Sequence, residues 1–116
     1  MVSQWADNTP IYVQLRERVL AQILDGAIRP GEALPSVRQV AGELAINPIT
    51  VTKAYQSLTD EGIVEKRRGL GLYVTEGADR ELRKRERERF LNDEWPQIAA
   101  RIRRLEIDPA VLLRDF

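Results

Sequence analysis

Leu44-Ala-Ile-Asn-Pro-Ile-Thr-Val-Thr-Lys-Ala-Tyr-Gln-Ser-Leu58 is the stretch whose reading decides the fold. It predicts a tight turn feeding a short helix. Asn47 is a strong N-cap, because its side-chain oxygen can accept from an orphan amide of the first turn. Pro48 suits the first helical position, where its missing N–H costs nothing. Val51, Ala54, Tyr55 and Leu58 follow at i, i+3, i+4 and i+7 and form one inward stripe. Opposite them, at 100° per residue, lie Ile49, Thr52, Lys53 and Gln56, with Thr50 on the flank. No acid occurs from Asn47 to Thr59. Short, uncharged or basic side chains on an exposed helix face suit a DNA major groove, since Lys and Gln can reach base edges and phosphates.

Working backwards, Ser36 stands three residues before Gln39, a capping-box arrangement that opens a preceding helix. Val37, Val40, Ala41 and Leu44 face inward along it. Ala45-Ile46-Asn47 then turns the chain, and small Ala41 lets the two helices cross closely, as a helix-turn-helix requires. A chance helical hairpin would share this pattern. Further upstream, Thr9-Pro10 opens a first helix by a cap-plus-proline device, with Tyr12, Leu15, Val19 and Ile23 inward and Gly26 as its left-handed stop. The connector from Ile28 to Leu34 turns at Pro30-Gly31, and its two apolar ends should anchor to the core. Residues Met1 to Asn8 read as an arm, with Trp5 packing on the domain.

Working forwards, Gly62 ends the third helix. Ile63-Val-Glu-Lys-Arg67 alternates like a strand, Arg68-Gly-Leu-Gly71 is turn chemistry, and Leu72-Tyr-Val-Thr75 is a second β-rich run. Two short strands joined by a basic, glycine-rich turn make a wing. Lys66, Arg67 and Arg68 are the densest cationic run in this half of the chain. Beside a helix-turn-helix they point to phosphate contact, the alternative being a solvated hairpin tip. Gly69 and Gly71 permit positive φ and a close approach of backbone to phosphate.

Composition bounds the function. In 116 residues, 18 bases balance 18 acids, so only a local basic patch can serve a nucleic-acid partner. Cysteine and histidine are both absent, which removes disulfides, zinc fingers, thiol nucleophiles and the commonest general base. Nothing calls for a metal or a cofactor. There is no apolar run of membrane-spanning length and no leader pattern, so the expected location is the cytoplasm.

Pro10-Ile-Tyr-Val-Gln-Leu15, Gly26-Ala-Ile-Arg-Pro-Gly31, Leu34-Pro-Ser-Val-Arg-Gln-Val-Ala41, Asn47-Pro-Ile-Thr-Val-Thr-Lys-Ala-Tyr55, Asp60-Glu-Gly62 and Arg68-Gly-Leu-Gly-Leu-Tyr-Val74 together resemble the GntR family of bacterial transcriptional regulators. The resemblance runs from about residue 9 to residue 76. The short remainder is similar to the YtrA-like subfamily, whose members carry a two-helix dimerisation tail in place of a large effector domain. The resemblance implies a winged helix that binds operator DNA as a dimer. It implies that Arg38 contacts DNA, that Thr50 meets a phosphate and that Gly69 enters the minor groove. The chain departs at Pro48 and Thr52, where some members place base-reading arginines, so guanine reading is not carried over to those positions. Physical chemistry agrees about Arg38. A cation in a first helical turn opposes the helix dipole and is not there for folding, though Glu32 or Glu43 could pair with it.

From Asp79 the composition changes. Asp79-Arg-Glu-Leu-Arg-Lys-Arg-Glu-Arg-Glu-Arg89 is almost wholly charged, which reads as a solvated helix held by i,i+4 pairs. Leu91, Trp95, Ile98, Ile102 and Leu105 then step by 4, 3, 4 and 3 as a heptad seam. Pro96 inside it must kink the helix or start a new one. Asp108-Pro109 caps a last short helix with Leu112, Leu113 and Phe116. These faces exceed what one small winged helix needs, so they predict self-association, the alternative being packing back on the same chain. Two or three short helices do not readily enclose a ligand, so no small-molecule effector is assigned, and any effector would sit at the dimer interface.

The expected fold class is mainly α with a small β-wing: a winged helix-turn-helix domain over residues 1–76, then a short helical dimerisation tail over residues 77–116. The expected partners are double-stranded operator DNA and a second copy of the chain, with no membrane. Ser36, Arg38, Asn47, Ile49, Thr50, Thr52, Lys53, Gln56, Lys66, Arg67, Arg68 and Gly69 are expected at the DNA. Leu91, Trp95, Ile98, Ile102, Leu105, Leu112 and Leu113 are expected at the dimer contact. A winged-helix module that binds protein instead of DNA is the alternative, kept open by the neutral charge. An enzyme is not expected, since no catalytic cluster can be assembled.

Overall fold

The structure is a computed structural model in which residues 4–116 are described; Met1 to Ser3, part of the expected arm, lie outside them. The order of elements is α1 (Ile11–Leu24), α2 (Val37–Leu44), α3 (Pro48–Asp60), β1 (Val64–Arg67), β2 (Gly71–Val74), α4 (Ala78–Arg89), a π-helical turn (Phe90–Glu94), α5 (Trp95–Arg104) and α6 (Pro109–Leu112). The chain divides into two compact units, Met1–Leu82 and Arg83–Phe116.

In the first unit, α1 and α2 both pack on α3. The stripe Val51, Ala54, Tyr55 and Leu58 is buried and meets Leu15, Val19, Leu20 and Ile23 of α1 and Val40 and Ala41 of α2. Each large side chain so buried contributes about 1.5–3 kcal/mol. Ile63, Val64 and Val74 close the core from the wing, and Leu34 closes it from the connector. The wing strands pair antiparallel with Val64 opposite Val74 and Arg67 opposite Gly71. The connector does more than turn. It runs along the free edge of β2, where Gly31 N–H donates to Val74 O, Val74 N–H to Glu32 O and Leu34 N–H to Leu72 O. Thus β2 is paired on both sides, which covers an edge that would otherwise be open.

Two caps differ from expectation. Pro10 is itself the N-cap of α1, and no side chain caps that end. Thr9 is instead held through its carbonyl by Gln14 Nε2 at 2.7 Å, and Gln14 also bonds both backbone groups of Ala6. The capping box of α2 is half-formed. Ser36 Oγ accepts from Gln39 N–H at 3.1 Å, but the Gln39 amide turns away to Glu43 at 3.1 Å. Trp5 packs as expected, under the Arg18 guanidinium at 4.0 Å.

The first unit extends past residue 76. Ala78 and Leu82 on the first turns of α4 are buried in its core, Leu82 completely. Leu82 is the only apolar residue in the charged run from Asp79 to Arg89, and it stands four residues after Ala78, on the same helical face.

In the second unit the helix does not simply kink at Pro96. Trp95 N–H reaches back five residues to Phe90 O, the signature of a π turn. Proline cannot donate to the carbonyl four residues earlier and its ring crowds that carbonyl. The widened turn relieves the conflict, and Pro96 falls in the first turn of α5. The inserted turn breaks the strict spacing of the expected seam at its N-terminal end. It brings Phe90, absent from that seam, to 6.5 Å from Trp95 between ring centroids.

Candidate nucleic-acid interface

The two helices of the helix-turn-helix owe their angle to three residues. Ala45 ends α2 in the left-handed region at φ 53°, and Ile46 N–H closes back on Ala41 O at 3.1 Å. Asn47 then caps α3, its Oδ1 accepting from Ile49 N–H at 2.8 Å, and Pro48 follows in the first turn. The side chains of Ser36 and Asn47 therefore both have capping roles. On the outer face of α3, Ile49 is 73% exposed, and Thr52, Lys53 and Gln56 are exposed with it. Thr50 is half-buried on the flank.

Two of these side chains are turned off the centre of the face. The Gln56 amide donates to Asp60 Oδ1 at 2.9 Å, one turn further along the helix. Lys53 Nζ lies over the ring of Tyr12, 4.4 Å from its centroid. On α2, Arg38 is exposed and pairs with neither carboxylate that could have neutralised it. Glu43 is bonded by Gln39, and Glu32 accepts from Arg29 N–H.

The wing completes the surface. Leu70 N–H donates to Arg67 O at 2.9 Å, and Gly69, third in that turn, has φ 74°, as a type II turn needs there. Lys66 and Arg68 are exposed. Arg67 is stacked on Tyr73 at 4.3 Å and lies 3.7 Å from Glu65. A hollow of about 270 Å3 opens between Ser36 and Val37 at the start of α2 and Leu70 and Gly71 at the wing tip. Those two elements therefore border one surface. Tyr55 sits at its floor, donating from its hydroxyl to Pro35 O at 2.8 Å, and burial pushes its phenol up to about 12.

Three helices, a tight helix-helix turn capped by Asn-Pro and a two-stranded wing are all in place. Residues 11–74 match the family described as "Bacterial regulatory proteins, gntR family". The chain belongs to the GntR family. It is 46% identical to the HTH-type transcriptional repressor YtrA of Bacillus subtilis (strain 168) over 71 residues, 61% of this chain and 55% of that protein. The matched region thus spans little more than half of that relative. A GntR family transcriptional regulator from Listeria monocytogenes superposes with a TM-score of 0.75 at 26% identity, covering 95% of both chains. YtrA from Sulfolobus acidocaldarius, a GntR-family transcription factor, superposes at 0.59 with 30% identity over 90% of this chain and 95% of that one. These relatives are named as regulators of transcription, and none as an enzyme. The resemblance to YtrA-like GntR proteins holds, as does the expected winged-helix fold.

The second unit of this GntR chain buries none of its described residues. Of the twelve large apolar side chains exposed among the described residues, nine lie there, including Leu91, Trp95, Ile98, Leu105, Leu112 and Leu113. Ile102 is half-exposed beside them. Trp95, Ile98, Ile102, Leu112 and Leu113 line an open apolar groove of about 310 Å3 between α5 and α6. Leu105 stands with Ile98 and Ile102 in a smaller neighbouring hollow. No helix among the described residues is long and apolar enough to cross a membrane.

Sequence reasoning passed over three residues that matter. By its spacing Tyr12 belongs to the core stripe of α1, and periodicity gives no sign of the cation above its ring. Leu82 is a lone apolar residue in a charged run, and its spacing from Ala78 was the available signal. Phe90 lies off the heptad and joins Trp95 only through the π turn.

Proposed function

We propose that this GntR-family chain is a cytoplasmic, homodimeric repressor that places two copies of α3 in successive major grooves of a pseudo-palindromic operator. The observation that carries the reading is a set of cations without carboxylate partners on the elements of the helix-turn-helix and wing. Arg38, Lys53, Lys66 and Arg68 all qualify among the described residues. Acids outnumber bases in the first unit, so these cations are not an overflow of positive charge. Elsewhere in this unit Arg16 is paired, with Glu61.

In this reading Arg38 and Lys53 reach base edges or phosphates, Thr50 meets a phosphate, and Lys66, Arg67 and Arg68 hold the wing to the backbone around Gly69. Exposed Ile49 faces a thymine methyl, a contact open to an apolar side chain in the major groove. Thr52 and Gln56 share that face. The dimer is made by a second copy covering the apolar face of the tail. A unit with no buried residue cannot hold a helix as short as α6 by its own propensity, because helices under about 12–15 residues are marginal in water. A second copy supplies both the missing burial and the second recognition helix.

Selection of bound duplexes from random-sequence DNA, with sedimentation of the free chain, tests the reading. The expected result is a two-fold related consensus bound by a dimer. Binding indifferent to sequence and to salt would overturn it.

A further inference from the structure

We propose that Tyr12 is a positioning residue for DNA binding, its ring holding the Lys53 ammonium in place to meet a backbone phosphate. This rests on the operator-binding reading above and deepens it. Lys53 Nζ stands 4.4 Å from the Tyr12 ring centroid, well inside the range at which a ring quadrupole attracts a cation. Tyr12 lies in the first turn of α1, half-buried, and packs against the core. Its ring is therefore a fixed shelf, whereas the lysine stem is mobile.

The choice of an aromatic partner matters. A carboxylate would also hold Lys53, but it would cancel the charge and occupy its N–H donors. A ring attracts the cation, leaves its charge intact and leaves N–H groups free to donate. No carboxylate pairs with Lys53 among the described residues. A lysine carries about 2 kcal/mol of rotamer entropy, part of which is lost on binding unless the side chain is already confined.

Position on α3 gives the target. At 100° per residue, Lys53 lies about 40° from Ile49, near the centre of the outer face, but its ammonium is drawn aside toward α1 to stand over the Tyr12 ring. An ammonium drawn to the side of the helix in this way meets the wall of a groove rather than its floor, and the wall is phosphate. Lys53 therefore adds affinity without reading sequence, which separates it from Ile49. The same device recurs on the wing, where Arg67 lies 4.3 Å over Tyr73, although Glu65 also approaches it there.

The test is a double-mutant cycle on the full chain with a duplex selected from random-sequence DNA, alongside an unrelated duplex. Tyr12→Phe keeps the ring and should bind as the unaltered chain does. Tyr12→Leu should weaken binding about 2–5-fold on both duplexes. Lys53→Met should weaken both further, and adding Tyr12→Leu to it should cost nothing more. A Tyr12→Leu loss that persists undiminished in the Lys53→Met background overturns the proposal, since the ring would then act through folding. Proton NMR of the free, unaltered chain adds a readout independent of any variant's folding. The Lys53 ε-methylene should be shifted upfield by the Tyr12 ring current, and an unshifted signal overturns the contact. Failure of the unaltered chain to bind DNA in a salt-dependent way would instead defeat the operator reading itself.

Discussion

The Tyr55 hydroxyl donates to the Pro35 carbonyl at 2.8 Å, tying the recognition helix to the residue just ahead of the α2 cap. The start of α2, which carries Arg38, is thereby tied to α3. Tyr55 is 4% exposed, and burial raises its phenol from an ordinary 10 to about 12. Between those values the folded chain keeps a proton that the unfolded chain has lost. The stability this group contributes is thus complete below pH 10 and is lost as pH rises toward 12. Tyr55→Phe should cost about 1 kcal/mol at neutral pH, the net worth of one hydrogen bond, and should flatten the alkaline end of the stability profile. Urea unfolding of both proteins from pH 8 to 11.5 measures this, and parallel profiles would rule it out.

Ala45 holds a backbone conformation that suits glycine. Its φ of 53° ends α2 and sets the helix-turn-helix angle. A side chain in the left-handed region costs roughly 1–2 kcal/mol, partly offset here because alanine has less backbone freedom to lose than glycine. Ala45→Gly should therefore raise stability by about 0.5–1 kcal/mol without altering DNA affinity. Thermal unfolding with a binding titration would show it, and a loss of stability would mean that the Ala45 methyl makes contacts worth more than the strain.

Much of this was legible because each local signal agreed with the global fold. Asn47-Pro48, the stripe from Val51 to Leu58 and the glycine-rich wing turn all have local causes, and all are found where the residues say. What escaped has non-local causes. The pairing of the connector with β2 depends on which edge the fold leaves open. The burial of Leu82 depends on α4 returning to a core that its own charged neighbours conceal. The placement of Lys53 depends on a ring from α1 that its own helix does not contain. At the DNA surface, residue types indicated a class of partner, but Gln56 and Lys53 were drawn aside by Asp60 and Tyr12, neighbours that periodicity does not rank.

Cation placement predicts how binding responds to salt. With Arg38, Lys53, Lys66 and Arg68 on each protomer displacing counterions, affinity should fall by orders of magnitude between about 50 and 200 mM salt. Arg68→Ala should weaken all duplexes alike and make the log–log slope shallower. Arg38→Ala should cost about 1–3 kcal/mol and relax preference at particular base pairs, if its guanidinium reads a base edge. Fluorescence titrations against the selected duplex and a scrambled one distinguish these outcomes. An unchanged Arg38→Ala protein would remove that residue from the interface.

The tail tests the assembly. One winged helix contacts one half-site, and a linked second copy makes the next contact intramolecular, raising avidity roughly 100-fold or more. Deleting everything after Glu76 is a poor probe of this, because it also strips Ala78 and Leu82 from the core of the first unit. Leu82→Ala alone should cost about 2–5 kcal/mol of stability. Ile102→Asp separates the two effects. Ile102 lines the open apolar groove with Trp95, Ile98 and Leu112 and contributes nothing to the core of the first unit. A carboxylate there is tolerated while the groove faces water. It becomes an unpaired buried charge once a second copy covers the groove, and the chain dissociates instead. The variant should therefore sediment as a monomer, unfold at the same temperature in its first unit, and lose most of its operator affinity while binding single half-sites as before. A variant that remains dimeric would place the contact elsewhere on the chain, and a monomer with full operator affinity would show that the second copy adds nothing at the DNA.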